Sequence, residues 1–242
     1  MAVVVGRDAP IAFSDPRLKA THSSNVWDFY KPDHTVEYPT VNGALSQVCY
    51  YRALEGCYSR FLDKIEKTVE GKTSSKNNYA DSCFTAESPD YFVFHAPYNK
   101  LVQKSYARLW LMDARRKYEK EASKREESKS INQDEEKKDD SSKCESQNEL
   151  LDWLTKPIEE TYSDRSLDGV LKKLSSESYQ ERLSDANYAS KKIGNTYTAS
   201  VFMGLASLID RAGGKSKLSA GKKISVFSYG SGAIATMYML HV

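Results

Sequence analysis

The chain has 242 residues, of which 40% are hydrophobic and 28% charged, and its formal net charge at pH 7 is +2. This length is enough for one large domain, or two small ones, with a substantial core. Because basic and acidic residues nearly balance, charge gives no general argument for nucleic-acid binding, and no run approaches the roughly 18 apolar residues of a membrane span.

Both ends of the chain carry strand-like runs. Ala2 to Val5 is a β-type run closed by Gly6, and it predicts a strand that starts almost at the first residue. "ATMYMLHV" predicts a last strand that simply stops, and the beginning has no signal-peptide pattern. A strand with no chain before or after it needs partners from elsewhere. We therefore expect this chain to be a piece of something larger.

The first long helix is predicted by apolar residues that recur every four positions. Ser46 is a plausible N-cap, since its hydroxyl can accept a hydrogen bond from an unpaired backbone N–H. The residues that recur are Cys49, Ala53, Cys57, Phe61 and Ile65. Residues 67–89 are polar and are predicted to form a loop.

The four cysteines predict no disulfide framework. Cys49, Cys57, Cys83 and Cys144 form no CxxC pair, which favours reduced thiols in a cytosol-like compartment. Cys49 and Cys57 lie on one predicted helix face, where small buried thiols are common, so structural roles are expected for both.

The middle of the chain begins with "YFVFH", a predicted strand, followed by a predicted helix from about Tyr98 to Arg115. Residues 114–148 are almost entirely Lys, Glu, Asp, Ser, Arg and Gln. Such a segment cannot bury enough apolar surface to offset its ordering entropy, and we interpret its centre as a disordered or solvated insertion.

The last third predicts a buried helix and a hairpin. The helix runs from about Tyr197 to Ile209, is apolar nearly all round and is ended by Gly213 and Gly214, so it belongs inside a domain. "KKISVFSYGSGAIATMYML" predicts a strand, a glycine turn and a strand. Strands that alternate with helices indicate a layered α/β fold.

His95 is the first candidate for chemistry. It stands where the predicted strand ends, with Pro97 after it, so its side chain has access but little freedom. Its near-neutral pKa suits general acid–base catalysis. A lone histidine at such a place is also often a structural residue, and that alternative stays open.

Lys100, Lys104 and Arg108 are spaced four residues apart, which puts three cations on one helix face. Like charges at this spacing cost an isolated helix roughly 0.2–0.5 kcal/mol per pair. The row is either a solvated face or a contact for a phosphate-bearing ligand, with Lys100 and Lys104 as point charges.

Two further stretches stand at the junction of a regular element and a turn. Asn195 in "GNT" is either an N-cap or an amide donor aimed at a carbonyl or a developing oxyanion. In "SYGSG", Gly230 and Gly232 permit a tight turn with positive φ, and Ser231 between them is a turn residue or a ligand contact.

Taken together and in order, these stretches resemble the second half of hydroxymethylglutaryl-CoA synthase, a thiolase-like condensing enzyme. The resemblance rests on "DFYKPD", "FVFHAPYNKLVQKSYARL", "GNTYTAS" and "LSAGKKISVFSYGSG" and covers nearly all of residues 1–242. It implies a layered αβαβα fold, of which this chain supplies mainly the C-terminal half, and usually a homodimer. It also implies an acyltransferase of the mevalonate route to isoprenoids and sterols, which condenses acetyl-CoA with acetoacetyl-CoA and needs no metal or redox cofactor.

The resemblance implies roles for individual residues. His95 matches the histidine that positions acetoacetyl-CoA and acts as acid–base partner. Lys100 and Lys104 match lysines that contact CoA. The other matches are product- or thioester-contacting Ser46, Asn195 and Ser231, and two supporting residues, Asp28 near the site and Tyr229.

The chain departs from the family pattern in ways that matter. The family's nucleophilic cysteine and general-base glutamate belong to its first half, so none of the four cysteines here is assigned as nucleophile, and the isolated chain is expected to be inactive. Asn42 stands where the family commonly has Asp, and the charged insertion is longer than expected.

Two alternatives stay open. One is a β-branching synthase that acts on acyl groups bound to a carrier protein, and the other is a non-catalytic CoA-binding fragment. A cytoplasmic location is expected, with a mitochondrial one left open. We expect no nucleic-acid or membrane partner.

Overall fold

A computed structural model describes most of the chain, in the ranges 3–15, 17–27, 35–38, 40–70, 84–131, 151–214, 217–230 and 232–242. Four residues about which the sequence makes predictions, Asp28, Cys83, Cys144 and Ser231, lie outside these ranges.

The described strands form one five-stranded mixed sheet. Along it the order is β1-β5-β4-β3, and β2 also pairs with β5. β3 runs parallel to β4, whereas the other pairs are antiparallel. The strands are β1 (Ala12–Phe13), β2 (Lys19–Ser23), β3 (Tyr91–Phe94), β4 (Lys223–Gly230) and β5 (Ile234–His241).

The predicted strand at the end of "YFVFH" and the predicted hairpin are both confirmed. β4 and β5 pair from Lys223–His241 to Gly230–Ile234. Gly232 in the turn has φ of 84°, the left-handed region that glycine enters without steric cost. The carboxyl ends of β3 and β4 therefore lie at the end of the sheet where this turn stands, and His241 lies at the opposite end.

The strand predicted at Ala2 to Val5 is wrong. Residues 3–5 belong to no strand, and Val4 is 97% exposed. The physical reason is the lack of a strand to pair with, because β1 and β2 already occupy the free edge of β5. β-propensity alone does not make a strand without a neighbour.

The helices are α1 (Gly43–Glu70), α2 (Asn99–Ile131), α3 (Arg165–Leu174), α4 (Ser176–Arg182), α5 (Ser184–Ile193) and α6 (Ser200–Leu208). Residues 151–155 are also helical. Short 3₁₀ turns cover Ile158–Thr161 and Tyr197–Ala199, and a π turn, Ile209–Gly213, continues α6. No helix among the described residues is long and apolar enough to cross a membrane.

The four-residue period of α1 is confirmed, because its recurring residues are all buried. The N-cap is Asn42, whose Oδ1 accepts a hydrogen bond of 3.0 Å from the backbone N–H of Leu45. Ser46 lies inside the helix, so its prediction as the N-cap is wrong. Asparagine three residues before Leu45 can take the cap because its side-chain oxygen reaches that backbone N–H.

α2 continues well past Arg115, where the sequence predicted its end. The first part of the charged segment is helical, since Lys, Glu and Arg are good helix formers. Arg116 lies 3.0 Å from Asp63 and 2.6 Å from Glu66, and Lys120 lies 2.6 Å from Glu66. These ion pairs join α2 to α1. Residues 132–150, which include the second half of the predicted insertion, lie outside the described residues.

The sheet is covered on both faces, which confirms a layered α/β fold. Alternate residues of β3 enter different cores: Phe92 and Phe94 pack with α1 and α2, and Tyr91 and Val93 pack with α5 and α6. α1 and α2 are parallel and both begin at the sheet end where β3 ends.

α6 is not buried all round in the described part of the chain. Val201 and Leu208 are buried, but Phe202 is 45% exposed and Ile209 is 44% exposed. The prediction of a fully buried helix is therefore wrong here. Its inner side packs on β3 and α5, and no described element covers the opposite side.

Candidate active site

A cavity of about 420 Å³ opens at the sheet end where β3 and β4 stop and α1 and α2 begin. We call it the histidine cavity. Four predicted site residues from separate parts of the chain line it: Ser46, His95, Asn195 and Tyr229. The order of the elements explains this convergence, since the carboxyl ends of neighbouring parallel strands lie at the same edge of a sheet.

His95 follows β3 directly, and its backbone is fixed on both sides. Its N–H donates to the carbonyl of Phe227 at 2.7 Å, and the Tyr50 hydroxyl donates to its carbonyl at 2.7 Å. The imidazole centroid is 6.3 Å from that of Tyr229. A rigid backbone thus presents the ring to the cavity.

Burial lowers the pKa of His95 to about 4, so the near-neutral pKa expected from the sequence is wrong. Desolvation disfavours the imidazolium, and no charged group among the described residues offsets it. At pH 7 the ring is neutral, with one N–H donor and one acceptor nitrogen. Such a ring can hydrogen-bond to a carbonyl oxygen without bringing a charge into the cavity.

Ser46 and Asn195 both line the histidine cavity. Because Asn42 caps α1, the Ser46 hydroxyl is not needed for capping, and it has no hydrogen-bond partner within the described residues. The Asn195 Oδ1 accepts a hydrogen bond of 2.7 Å from the backbone N–H of Tyr197. This bond closes a local turn and caps no helix, because neither the 3₁₀ turn Tyr197–Ala199 nor α6 has a side-chain cap, so the predicted N-cap role of Asn195 is wrong. The amide NH₂ is left as a donor. The binding roles of both residues stay predictions.

The "GNTYTAS" stretch has an unusual backbone. Gly194 has φ of 87°, and Tyr197 has φ of 51°, a left-handed conformation that costs a non-glycine residue roughly 1–2 kcal/mol. The turn projects Tyr197 outward, where its side chain is 63% exposed and lines the histidine cavity. Strain of this kind often marks a functional turn.

Aromatic residues form another wall. Tyr50 packs on Tyr229 with ring centroids 5.0 Å apart and on Phe227 at 5.4 Å. Sequence reasoning did not identify Tyr50, Gln47 or Tyr98 as cavity residues. The available signals were the four-residue spacing of Tyr50 from Ser46, which puts both on one helix face, and the position of Tyr98 after Pro97.

The two lysines do not line the histidine cavity. Lys100 is exposed and forms no ion pair with a described residue. Lys104 lies 2.7 Å from Asp168 and lines a second cavity, of about 510 Å³, which we call the cationic cavity. Arg52 and Arg165 also line it.

Arg108 does not share an exposed face with the lysines, so the predicted row of three solvent-facing cations is wrong. Its side chain is 1% exposed, and its Nε donates to Glu55 Oε1 at 2.6 Å. The guanidinium also lies between two aromatic rings, 5.1 Å from the centroid of Tyr51 and 4.7 Å from that of Tyr162.

Cys49 and Cys57 are both buried, as the sequence predicted. Burial raises the pKa of Cys57 to about 11, so its thiolate is scarce at neutral pH. Among the described residues no group of three or more His, Cys, Asp or Glu side chains could hold a metal ion. The need for a metal or redox cofactor is untested.

Residues 11–242 match the family model described as "Hydroxymethylglutaryl-coenzyme A synthase C terminal". The chain belongs to this family. It is 34% identical to hydroxymethylglutaryl-CoA synthase A of Dictyostelium discoideum and 36% identical to the human cytoplasmic hydroxymethylglutaryl-CoA synthase, over its whole length. It spans 42% and 41% of those relatives, about two fifths of their length.

Solved synthase structures share the fold. "MvaS in complex with 3-hydroxy-3-methylglutaryl coenzyme A" has a TM-score of 0.59 and 25% identity, over 95% of this chain and 42% of that one. The curacin pathway HMG synthase in complex with holo donor-ACP has a TM-score of 0.50 and 17% identity, over 94% and 37%, which supports the fold alone. The predicted thiolase-like synthase fold is confirmed.

The relatives do not decide the compartment. The human protein is named as cytoplasmic, and a pig relative with 34% identity, 42% of which the chain spans, is named as mitochondrial. The expected cytoplasmic location, like the homodimer, stays a prediction.

Proposed function

We propose that this chain provides the acetoacetyl-CoA-binding part of a hydroxymethylglutaryl-CoA synthase. The reaction is acetyl-CoA + acetoacetyl-CoA + water → hydroxymethylglutaryl-CoA + CoA, a step that feeds isoprenoid and sterol synthesis. The observation that carries the proposal is the convergence of Ser46, His95 and Asn195 on one cavity in a chain of this family.

The neutral imidazole of His95 suits the central step. A carbon–carbon bond forms between the acetyl methyl carbon and the ketone carbon of acetoacetyl-CoA, and the ketone oxygen becomes an alkoxide. A hydrogen bond from the His95 N–H stabilises that oxygen as its charge develops. The alkoxide gains one proton, which balances the proton lost from the acetyl methyl group.

Asn195 and Ser46 supply two further donors. The Asn195 NH₂ is free to donate to the thioester oxygen, because only its Oδ1 is used within the turn. The Ser46 hydroxyl lines the same cavity and donates to the carboxyl end of the product. Lys104, in the cationic cavity, attracts the phosphates of CoA as a point charge.

The nucleophile is not Cys49 or Cys57, since both are buried and the pKa of Cys57 is raised. We place the acetylated cysteine and the base glutamate in the part of the relatives' length that this chain does not span. Water then cleaves the bond between that cysteine and the product, giving a carboxylate and a free thiol. The 242 residues alone therefore do not turn over.

The relatives do not favour the carrier-protein alternative. Those at 34–36% identity are named as hydroxymethylglutaryl-CoA synthases, whereas the synthase solved with a donor-ACP is only 17% identical. Rates with acetoacetyl-CoA and with the carrier-bound acyl group separate the two substrates directly.

The test is condensation by the full-length protein, measured as hydroxymethylglutaryl-CoA formed and CoA thiol released. His95→Gln should lower kcat/KM by about 10²–10³-fold, the range typical of removing one hydrogen-bond donor to a developing oxyanion. His241→Gln is the matched control, because His241 is exposed and lies at the opposite end of the sheet. Absence of condensation in the wild type, or equal rates for the two variants, would overturn the proposal.

A further inference from the structure

Gln47 is shared by the two cavities, since it lines both the histidine cavity and the cationic cavity. It belongs to the second turn of α1, one residue after Ser46. A ligand that occupied both cavities would lie against this shared residue.

The amide of Gln47 is held on one side by a rigid partner. Its Nε2 donates to the Tyr51 hydroxyl at 3.0 Å. Tyr51 is fully buried, and its ring stacks on that of Tyr162 with centroids 6.0 Å apart. Burial raises the pKa of Tyr51, so its hydroxyl stays protonated at all working pH values. The orientation of the Gln47 amide is thereby fixed.

The other side of the amide has an exchangeable partner. The Tyr98 hydroxyl donates to Gln47 Oε1 at 3.4 Å, which is long for an O–H···O bond. Tyr98 is 45% exposed, so its ring can move toward solvent at little cost. A ligand N–H can take its place at Oε1.

The two cavities differ in charge. The described lining of the histidine cavity contains no Lys, Arg, Asp or Glu. The cationic cavity contains Arg52, Lys104 and Arg165, with acidic Glu159 and Asp168. A ligand that spans both would have an uncharged end, an anionic end and a linker between them. Next to Gln47, the linker group that satisfies a carboxamide best is another amide, which offers one donor and one acceptor.

We propose that Gln47 is a specificity-determining residue that hydrogen-bonds to the amide-bearing pantetheine arm of the CoA thioester. The inference rests on the proposed function, which places the acyl end at His95 and the phosphates near Lys104. The N–H of the arm replaces the Tyr98 hydroxyl at Oε1, while the bond from Nε2 to Tyr51 persists. Gln47 thus recognises the pantetheine arm and not the acyl group or the phosphates.

The test compares ligands that do and do not have the arm. Dissociation constants for acetoacetyl-CoA and for adenosine 3′,5′-bisphosphate are measured by calorimetry on the full-length protein. Gln47→Leu removes the amide with little change in size. It should raise the Kd of acetoacetyl-CoA about tenfold and change that of the bisphosphate less than twofold. Gln180→Leu, at an exposed position on α4, is the matched control and should change neither.

Three results overturn the inference. If Gln47→Leu binds acetoacetyl-CoA as tightly as the wild type does, the inference fails while the proposed function stands. If Gln47→Leu weakens the binding of both ligands equally, Gln47 supports the cavity walls and does not recognise the pantetheine arm. If the wild type binds no CoA thioester at all, the inference and the proposed function both fail.

Discussion

Two polar clusters lie along the helices α1 and α2. The side chains of one are enclosed by other side chains, and those of the other line a cavity. In the middle of the helices, Glu55 accepts hydrogen bonds from Arg108 at 2.6 Å and from the Tyr162 hydroxyl at 2.7 Å, and Arg108 also donates to Thr161 Oγ1 at 2.9 Å. At the helix N-termini, the backbone of His95 is satisfied in the same way, but its ring faces a cavity.

Within one pair of helices, the buried cluster therefore stabilises the fold, whereas the cluster at the cavity is available for binding. Each member of a buried charge pair needs its partner, because an unpaired buried charge would carry the full free-energy cost of desolvation. The histidine cavity is open, and its described lining is uncharged. A polar side chain without a partner costs less free energy when it is neutral than when it is charged. The buried pair fixes how α1 and α2 lie against each other, and so fixes the distance between Ser46 and the turn that follows His95.

The largest expected effect comes from breaking the buried pair. Arg108→Met leaves Glu55 buried without its partner, and we expect the free energy of unfolding to fall by about 3–5 kcal/mol in urea denaturation. The double variant Arg108→Met, Glu55→Leu should recover much of that loss, because it removes the unpaired carboxylate. A double variant as unstable as the single one would show that the pair has no such role.

At the histidine cavity, substitutions of Asn195 separate its hydrogen bond within the turn from its role in binding. Asn195→Asp keeps the oxygen that accepts from the Tyr197 N–H but loses the NH₂ donor, whereas Asn195→Ala loses both. We expect kcat to fall about 10²–10³-fold in both variants, the effect of removing one oxyanion donor. Only the Ala variant should also lose about 1 kcal/mol of stability, the net contribution of the one hydrogen bond within the turn. Full activity in Asn195→Asp would restrict this residue to closing the turn.

The pH dependence of stability should also distinguish the clusters. The folded-state pKa of His95 is lowered to about 4 from 6.5, so the unfolded chain binds a proton first as pH falls. Stability is therefore complete above about pH 6.5 and is lost between pH 6.5 and 4, by about 2–3 kcal/mol from this residue. His95→Gln should flatten the curve in that window. An unchanged pH profile in His95→Gln would mean that the ring is not desolvated.

The smallest expected effect concerns the half-exposed pair of Lys104 and Asp168. Lys104→Met should change the free energy of unfolding by less than about 1 kcal/mol, as is usual for such pairs. It should nevertheless raise the Kd of CoA several-fold, and more at low salt, where charges are less screened. Binding that does not depend on Lys104 at any salt concentration would remove it from the CoA site.

The sequence predicted the elements whose signal is local. The four-residue period of α1, the strand before His95 and the hairpin with Gly232 were all visible, because apolar spacing and a turn glycine are properties of neighbouring residues. Three of the stretches singled out also meet at the histidine cavity. This convergence depends on strand order, which the spacing alone did not give.

What the sequence missed depends on distant partners. Arg108 has the same spacing from Lys104 as Lys104 has from Lys100, and its burial depends on distant partners such as Glu55, 53 residues earlier. The extension of α2 past Arg115 likewise depends on Asp63 and Glu66 of α1. The lowered pKa of His95 follows from burial, which a motif does not reveal.

The central claim is that His95 binds the acetoacetyl group in the open cavity. Calorimetric affinities of acetoacetyl-CoA and of CoA, for the wild type and for His95→Gln in the full-length protein, test it most directly. The wild type should bind acetoacetyl-CoA more tightly than CoA, and His95→Gln should reduce that difference about tenfold while leaving CoA binding unchanged. A difference between the two ligands that is the same in both proteins would contradict the claim.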